Sequence, residues 1–569
     1  MQIARIVNRS INATFIELVY AMDSASNEPP RRPSPPPRDR ISAKSTADPI
    51  LRNALRYTIS AKEYESLHKY IISRSKVLKR NAPTVTKVEK LVEKSGRDDY
   101  NAAAVRGSLR LFLATSAGLK LWGLINEKLL GTERGKKVSL WKSPNFRLSL
   151  SLSGILLLHR ILFRFFTRLR AHLLTPEARP FRQRNKKTTK TLTSTFAPAV
   201  GAGLAGCMLA IYPSDQLRVT IAIYALSRAA ESAYNLAEEE GWIWGKEGSR
   251  WERPWWWGSW LIFPLTCGQL FHSFVFDRDC FPKSYGDFIL KNSPHYIHHR
   301  PEDYPAHLPW PSTYGIVDNL AEMARLNYPP FTSPILFPNN TTLPPTLSTI
   351  SPITAPAHPL ITSLTCATLH PSDPSCLRTY ITYWIRVFPK LAKVFTVILT
   401  LFSIPSYRKF YNSPITSLNS LAGRILKNTV HIAGAIGTSW ASICAFQALL
   451  PRHVLPTQRF FLGGALGGLW GYIVRKEGRG EFLYIARTSL DSLWKVGKKR
   501  GWWKGIKGGD VGLFVLSLIV LECVYERDGR QLNSGLLRKM IAGMRGEGWR
   551  DFVAEEEKRL KEEGREKLL

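Results

Sequence analysis

The sequence predicts an all-α fold: a polytopic helical membrane protein with two homologous helical bundles. Three observations lead to that prediction. Residues 254–276 and 429–450 contain no Asp, Glu, Lys or Arg, and each is long enough for a helix to cross the hydrocarbon core, which takes about 20 residues. The segments on the two sides of a proline-rich stretch resemble each other in the same order. Small residues also recur at helical spacing inside the apolar runs that match.

The charge distribution indicates which partners to expect. The chain of 569 residues carries a formal net charge of +35 and is 44% hydrophobic. Such basicity is typical of proteins that bind nucleic acid or an anionic membrane. The Lys and Arg residues fall between apolar runs, as in 179–190 and 495–507, and the motifs of nucleic-acid-binding domains are missing. We therefore expect the lipid bilayer and anionic lipid headgroups as partners, with a homo-oligomer left open, and no nucleic acid.

Residues 1–95 form a basic N-terminal region. Residues 1–22 lack the continuous apolar core of a secretory signal, which leaves an organellar presequence or a surface helix. Residues 23–48 are rich in Pro, Ser and Arg and predict disorder. Residues 60–95 predict a basic, amphipathic helical region that is either solvated or lies on a membrane surface.

Apolar segments dominate the rest of the chain and form two predicted membrane repeats, 96–300 and 366–548, of about four or five helices each. Besides the two uncharged segments, other candidate spans are shorter, or are interrupted by charges or by a proline, and need help from polar flanks or neighbouring helices. These are 104–125, 148–166, 196–212, 384–404, 460–474 and 511–524.

Two further regions complete the predicted organisation. Residues 301–365 are crowded with Pro, Ser and Thr, which cannot continue a helix for long, and predict a linker between the repeats. Residues 549–569 alternate acids and bases and predict an exposed, charged helix.

The repeat rests on fragments that each align without internal gaps, at two different offsets. Tyr212 aligns with Tyr472, and Glu231 aligns with Asp491. Further on, VFDRD, which begins at residue 275, matches VYERD, which begins at residue 524. Several fragments in the same order indicate an internal duplication rather than chance.

The matching apolar runs are rich in glycine. In the stretch GGALGGLWG, glycines recur every four residues and therefore lie along one face of a helix. Bare backbone on that face lets another helix approach closely, which is how helices associate in lipid. The predicted helix-packing residues are Gly201, Gly203, Gly206, Gly463, Gly464, Gly467, Gly468 and Gly471.

The run at 201–206 is also a literal GxGxxG, with Glu231 downstream in the manner of a ribose-binding acid. A dinucleotide site needs a strand before the glycines and a βαβ unit around them. Neither is evident here, so we expect no cofactor.

Four charged residues lie in the matching helices of the two repeats. Arg228 is three residues from Glu231, and Arg487 is four residues from Asp491. Charges at membrane depth usually pair or line a cavity. These intramembrane polar pairs therefore form either a polar site or solute path between the repeats, or two intrahelical pairs that stabilise interfacial helices. The second interpretation is favoured because both helices are polar enough to lie near a surface.

The residues His295, His298 and His299 form an HxxHH box of the kind that membrane desaturases use for iron. Those enzymes need several such boxes, and this chain has no second one. A wet loop at headgroup level is therefore the favoured interpretation of the box.

Cys366, His370 and Cys376 form a compact Cys/His element just before the second repeat. Two thiols and an imidazole are part of a zinc ligand set, but the fourth ligand and the standard spacing are absent. A disulfide or a capped turn is the alternative. Cys444 lies inside an apolar run, as Cys207, Cys267 and Cys523 do, and is expected to be a small hydrophobic residue.

The element CATLHPSDPSC at 366–376 resembles the cysteine-rich element of the transmembrane protein 135 family. Residues 463–501 resemble the glycine-rich helix, basic turn and following helix of that family, and 509–529 are similar to its next hydrophobic segment. The first repeat, from residue 197 to 289, resembles the other half of the family.

The resemblance implies a protein of peroxisomal or mitochondrial membranes that acts in lipid handling or organelle dynamics, with distant similarity to the mitochondrial inner-membrane translocase channels. We therefore expect an integral organelle-membrane protein without catalysis. Two alternatives stay open: a transporter or channel with a polar site between the repeats, and a metal-dependent membrane enzyme that uses the histidine box.

Overall fold

The structure, a computed structural model, describes residues 57–566 except 71, 76–81, 87, 89–99, 131–138, 246–250 and 339–342. Within these residues the chain is helical, with no named strand and one isolated antiparallel bridge between Pro330 and Ser363. The all-α prediction is therefore confirmed for the described part of the chain. The predictions for 1–22 and 23–48 lie outside it.

The chain divides into two compact units between residues 98 and 99. In the first unit, helix α1 (Ala61–Tyr70) and a 3-10 turn (Ile72–Arg74) enclose a small apolar cluster. The Tyr64 hydroxyl donates a hydrogen bond of 2.7 Å to the carbonyl of Pro83. Part of the predicted amphipathic region 60–95 is therefore helical.

The described part of the second unit begins with nine helices, the last of which lies inside the predicted linker 301–365. They are α2 (Tyr100–Leu130), α3 (Pro144–Leu174), α4 (Arg179–Arg184), α5 (Lys186–Leu192), α6 (Ala197–Gly203), α7 (Gln216–Glu239), α8 (Ile262–Phe276), α9 (Lys283–Lys291) and α10 (Thr313–Arg325). Ten helices follow among the described residues. They are α11 (Ser351–Thr354), α12 (Leu364–Leu369), α13 (Cys376–Ser403), α14 (Tyr407–Asn412), α15 (Pro414–Leu449), α16 (Gln458–Gly468), α17 (Arg479–Lys499), α18 (Gly509–Asp528), α19 (Gly535–Arg545) and α20 (Phe552–Glu566).

Three helical segments of the described chain are long and apolar enough to cross a membrane: α3, Ser259–Phe276 (which ends with α8) and α15. A fourth results if α5 and the segment Ala197–Ile211, which meet at a bend of 79°, count as one broken span. The predicted spans at 104–125, 384–404, 460–474 and 511–524 are helical, but they do not combine sufficient length, hydropathy and freedom from charge to cross a membrane. Charged residues interrupt some of these segments, Pro389 lies inside the segment 384–404, and others are short.

The second unit contains two hydrophobic cores. The middle core is built from α8, α10, α13, α15, α16 and α17, which lie within one contiguous stretch of chain. The end core is built around α18, which contacts α3, α6 and α7. The end core therefore contains helices from both ends of the second unit, up to α7 and again from α18 to α19. The middle core is formed by the helices between them.

The predicted linker 301–365 belongs to the middle core. Ser312 caps α10 by accepting a hydrogen bond from the Gly315 backbone N–H, and Ile316 and Leu320 on the inner face of this helix are fully buried. Leu347 is fully buried as well. The prolines keep the elements short, but enough apolar residues lie between them to pack against α8.

The two small-residue segments adopt the same sequence of conformations. Helix α6 continues as a 3-10 helix over Leu204–Ile211, and α16 continues as a 3-10 helix over Leu469–Val474. Six of the eight predicted packing glycines lie in the α-helices, and the other two, Gly206 and Gly471, lie in the 3-10 continuations. All eight are buried.

One side of each segment approaches the backbone of a helix distant in sequence. A Cβ at Gly203 would lie 2.8 Å from the Cα of Ile519 in α18. A Cβ at Gly468 would lie 2.5 Å from the Cα of Pro264 in α8. Since real Cβ atoms do not approach backbone atoms so closely, a side chain at either position would displace the partner helix.

The other side of each segment faces a long helix nearby in the chain. The ring of Phe166 in α3 occupies the space where a Cβ at Gly201 would lie. In the second segment, a Cβ at Gly467 would lie 2.5 Å from the carbonyl oxygen of Ala435 in α15. Each segment is therefore held between two helices at van der Waals distance.

Candidate functional site

The Cys/His element gains its fourth member from a helix that is distant in sequence. Cys366 lies in α12, His370 follows that helix, and Cys376 is the first residue of α13. Cys444 lies near the end of α15 and is buried beside them. The prediction that Cys444 is only a small hydrophobic residue is corrected by this position. No spacing rule links it to the other three, because only the packing of α15 brings them together.

The four side chains converge closely. Their potential ligand atoms all lie within 4.8 Å of one another. Cys366 Sγ is 3.9 Å from Cys376 Sγ, and Cys444 Sγ is 3.4 Å from His370 Nε2. Among the residues the structure describes, this is the single group of three or more potential metal-ligating side chains.

A tight turn orients the imidazole of His370. Its Nδ1–H donates a hydrogen bond of 2.7 Å to the backbone carbonyl of Asp373. The Asp373 carboxylate accepts from the Ser375 backbone N–H over 2.9 Å, and the Ser375 side chain caps α13 by accepting from Arg378 N–H. Because Nδ1 is committed to the carbonyl, Nε2 is the nitrogen that faces the thiols.

The pKa directions reflect the contact between imidazole and thiols. Burial lowers the pKa of His370, but hydrogen bonds to Cys366 and Cys376 outweigh it and raise the pKa to about 10. Hydrogen bonds from Cys366, Cys444 and His370 lower the pKa of Cys376 well below the ordinary range of a thiol. The imidazole and the thiols therefore lie close enough to influence each other's protonation.

The histidine box lies next to this cluster without forming a ligand set of its own in the described chain. The Nε2–H of His298 donates a hydrogen bond of 3.0 Å to the carbonyl of Leu369, the residue before His370. Tyr296 and Ile297 are buried within the middle core. The geometry therefore gives His298 a role in positioning the end of α12.

The first predicted polar pair forms and extends to α17. Arg228 Nη1 lies 2.8 Å from Glu231 Oε2. Arg479, the first residue of α17, places its Nε 2.9 Å from Glu231 Oε1, and Asn533 donates to the same oxygen over 3.2 Å. Glu231 is almost fully buried, so this carboxylate connects α7 of the end core to α17 of the middle core.

The other two predicted residues face different partners. Asp491 accepts hydrogen bonds from Lys495 over 2.7 Å and from Gln216 over 2.9 Å. Arg487 lies over the ring of Tyr224, with its guanidinium carbon 4.8 Å from the ring centroid. Its Nη1 is buried without a hydrogen-bond partner.

Arg487 and Asp491 share a cleft between α7 and α17. The cleft has about 1090 Å³ of empty space, and Tyr224, Tyr285 and Thr488 also line it. Since an uncompensated buried N–H costs free energy, the free donor of Arg487 favours an acceptor in this space.

A buried ion cluster, formed by His159, Glu522, Glu526 and Arg545, was not found by the sequence analysis. Glu522 is fully buried and places Oε1 2.9 Å from His159 Nε2 and Oε2 2.9 Å from Arg545 Nε. Arg545 also reaches Glu526 over 2.6 Å. His159, in the candidate span 148–166, therefore joins α3 to α18. The motif VYERD marked α18, but the partners of that helix come from two other helices, α3 and α19.

No protein-family model, curated protein or solved structure matches this chain. The resemblance to the transmembrane protein 135 family therefore remains a hypothesis. Function has to be argued from the contacts of the chain itself.

Proposed function

We propose that the chain is a non-enzymatic integral membrane protein of an organelle, built from two homologous helical repeats, each of which packs one helix against the small-residue segment of the other repeat. In this scheme α6, α7 and α8 correspond to α16, α17 and α18. The single observation that carries the proposal is a pair of equivalent glycine contacts. Gly203 of α6 packs against the backbone of α18, and Gly468 of α16 packs against the backbone of α8.

Further contacts between the two repeats support this packing. Arg218 of α7 pairs with Asp510 of α18 over 2.5 Å, which links the first repeat to α18 of the second. Gln269 of α8 accepts a hydrogen bond of 2.8 Å from Ser489 of α17, which links the second repeat to α8 of the first.

The ends of α7 and α17 support the duplication independently. Gly241 has a φ of 74° and Gly501 has a φ of 73°. Trp242 N–H donates to the carbonyl of Ala237 and Trp502 N–H donates to that of Gly497, each over 2.9 Å. Both helices therefore end in the same Schellman cap, with glycine and tryptophan at the same two positions.

Exposed tryptophans and lysines support a membrane surface as the partner. Trp242, Trp251 and Trp255 are each at least 74% exposed, and the short basic helix α5 exposes Lys186 and Lys187. Tryptophan is enriched at the membrane–water interface, and lysine is attracted to anionic headgroups. The proposed location, a peroxisomal or mitochondrial membrane, and the role in membrane organisation or lipid handling rest on the family resemblance.

Alkaline carbonate extraction tests membrane integration. We expect the tagged full-length chain to stay in the membrane pellet with an integral marker, while a peripheral marker is released. Recovery of the chain in the supernatant would refute the proposal. Co-imaging with peroxisomal and mitochondrial markers tests the location, and a different compartment would refute that part alone.

A transporter or channel is the second candidate, favoured by the cleft and the free Arg487 donor. Purified protein in planar bilayers should then conduct ions, with an anion preference that Arg487→Gln reduces. Glu231→Gln serves as the second variant, because Glu231 couples the two repeats without lining the cleft. The absence of conductance in the unsubstituted protein would remove this candidate for ions.

A further inference from the structure

We propose that Cys366, His370, Cys376 and Cys444 bind one zinc ion in a structural site that ties α12 and α13 to the candidate membrane helix α15. This proposal is independent of the proposed function, because it concerns only the chemistry of four side chains. The ligand set completes the partial zinc element of the sequence.

Two of the distances between the side chains match edges of a zinc tetrahedron. With Zn–S bonds of about 2.3 Å and a Zn–N bond of about 2.0–2.1 Å, two sulfurs lie about 3.8 Å apart and a sulfur lies about 3.5 Å from the nitrogen. The corresponding distances are 3.9 Å between Cys366 Sγ and Cys376 Sγ, and 3.4 Å between Cys444 Sγ and His370 Nε2. All four potential ligand atoms lie within 4.8 Å of one another, so one ion can lie among them.

The orientation of His370 is typical of a zinc ligand. Ligating histidines usually donate their second ring N–H to a carbonyl or carboxylate, which fixes the tautomer and the plane of the ring. His370 donates Nδ1–H to the Asp373 carbonyl over 2.7 Å and directs Nε2 towards Cys444. The Asp373 turn is therefore the support that a metal ligand at His370 requires.

The composition of the site favours a structural role. Three cysteines and one histidine supply four protein ligands, which close the tetrahedron and leave no position for water or substrate, as in structural zinc sites. His370 and Cys444 are each 3% exposed, whereas Cys376 is exposed. The ion would enter from the Cys376 side and be held against the end of α15.

A disulfide explains the arrangement less well. A disulfide holds its sulfurs about 2.05 Å apart, whereas Cys366 Sγ and Cys376 Sγ are 3.9 Å apart. A disulfide between Cys366 and Cys376 would also not explain why Cys444 and the Nε2 of His370 lie beside them. All seven cysteines of the chain are free thiols in the structure.

The first experiment measures metal in the unsubstituted full-length protein, purified in detergent from zinc-replete cells without a histidine tag or chelating resin. Elemental analysis should give about one zinc per chain, and zinc X-ray absorption should show three sulfurs at about 2.3 Å and one nitrogen at about 2.0–2.1 Å. This measurement needs no variant, so it tests the site even if substitutions prevent folding.

The second experiment assigns the ligands. Cys444→Ser should lose most of the bound zinc, whereas the matched control Cys267→Ser, at a cysteine of the other candidate span α8, should keep it. His370→Ala should also lose zinc, and His370→Cys should retain it because a set of four cysteines binds zinc as well. A purely structural role for His370 does not predict rescue by cysteine.

Three results would overturn the proposal. The first is protein without stoichiometric zinc, whether the cysteines are free or Cys366 and Cys376 are joined by a disulfide in mass spectrometry. The second is stoichiometric iron or copper in place of zinc. The third is equal zinc content in Cys444→Ser and Cys267→Ser. None of these results depends on whether the chain is a transporter or a lipid-handling protein.

Discussion

The end core and the middle core both pack a glycine-rich helical segment between two other helices, but they differ in their buried polar groups. In each core a small-residue segment lies between a long helix and a helix that is distant in sequence: α6 between α3 and α18, and α16 between α15 and α8. The glycine contacts are alike in the two cores, but the polar groups are not. The end core holds the buried ion cluster around Glu522, and the middle core holds the Cys/His cluster around His370.

The difference between the cores shows what each needs beyond glycine packing. The middle core has a large contiguous set of buried apolar side chains, from Phe263 to Ile485. The end core has only two small apolar clusters along α18 among the described residues. We infer that the end core depends more on its buried charges, because less apolar surface is removed from water or lipid there. Four predictions test this comparison.

The largest effect is expected at Glu522. Glu522→Gln leaves His159 and Arg545 without their shared carboxylate, and removal of one partner from a buried ion pair costs about 3–5 kcal/mol. The free energy of unfolding in mixed detergent micelles measures the loss. Glu556, which forms an exposed pair with Arg530, is the control, and its substitution by Gln should cost at most about 1 kcal/mol. Equal losses at the two positions would contradict the inference.

The next effect is expected where the two cores are joined. Glu231→Gln weakens the contacts with Arg228 and Arg479, and a hydrogen bond to a charged group contributes about 1.5–3 kcal/mol. Asp491→Asn, at the aligned position, affects a more exposed pair with Lys495 and should cost about 0.2–1 kcal/mol. The same unfolding measurement compares them. A larger loss at Asp491 would show that the joint between the cores lies elsewhere.

The glycine contacts should be equally sensitive in both cores. Gly203→Ala and Gly468→Ala each place a methyl group against the backbone of a partner helix, and such overpacking costs about 1–3 kcal/mol. Gly423→Ala is the control, because no atom lies within 4 Å of the added methyl group in α15. That change should stabilise the chain by about 0.5–1 kcal/mol through helix propensity. If only one of the two substitutions lowered the free energy of unfolding, the glycine contacts of the two cores would not be equivalent.

The smallest effect is expected at the two helix caps. Gly241→Ala and Gly501→Ala each force alanine into a left-handed conformation, which costs about 1–2 kcal/mol. The added methyl groups meet no close neighbour at either site, so strain alone should be measured. Equal shifts in the unfolding free energy sharpen the case for duplication, and an unequal pair would weaken it.

Local patterns in the sequence predicted a substantial part of the fold. The helices Ser259–Phe276 and Pro414–Leu449, which contain most of the uncharged segments 254–276 and 429–450, are long and apolar enough to span a membrane, because hydropathy over about 20 residues depends on composition alone. The glycine stretch at 463–471 is helical and closely approached, since a spacing of four places glycines on one face. The linker prediction for 301–365 missed the amphipathic face of α10, because proline content outweighed periodicity.

Periodicity and residue type are local properties, so the amino-acid sequence was enough to predict the long apolar helices, the glycine-lined helix faces and the reactive side chains. The contact partners of these residues are known only from the packing of the helices. It brought Cys444 to His370, Arg479 to Glu231 and Glu522 to His159. Each of these contacts joins residues far apart in the chain, and their distance depends on how whole helices pack, which no local spacing encodes.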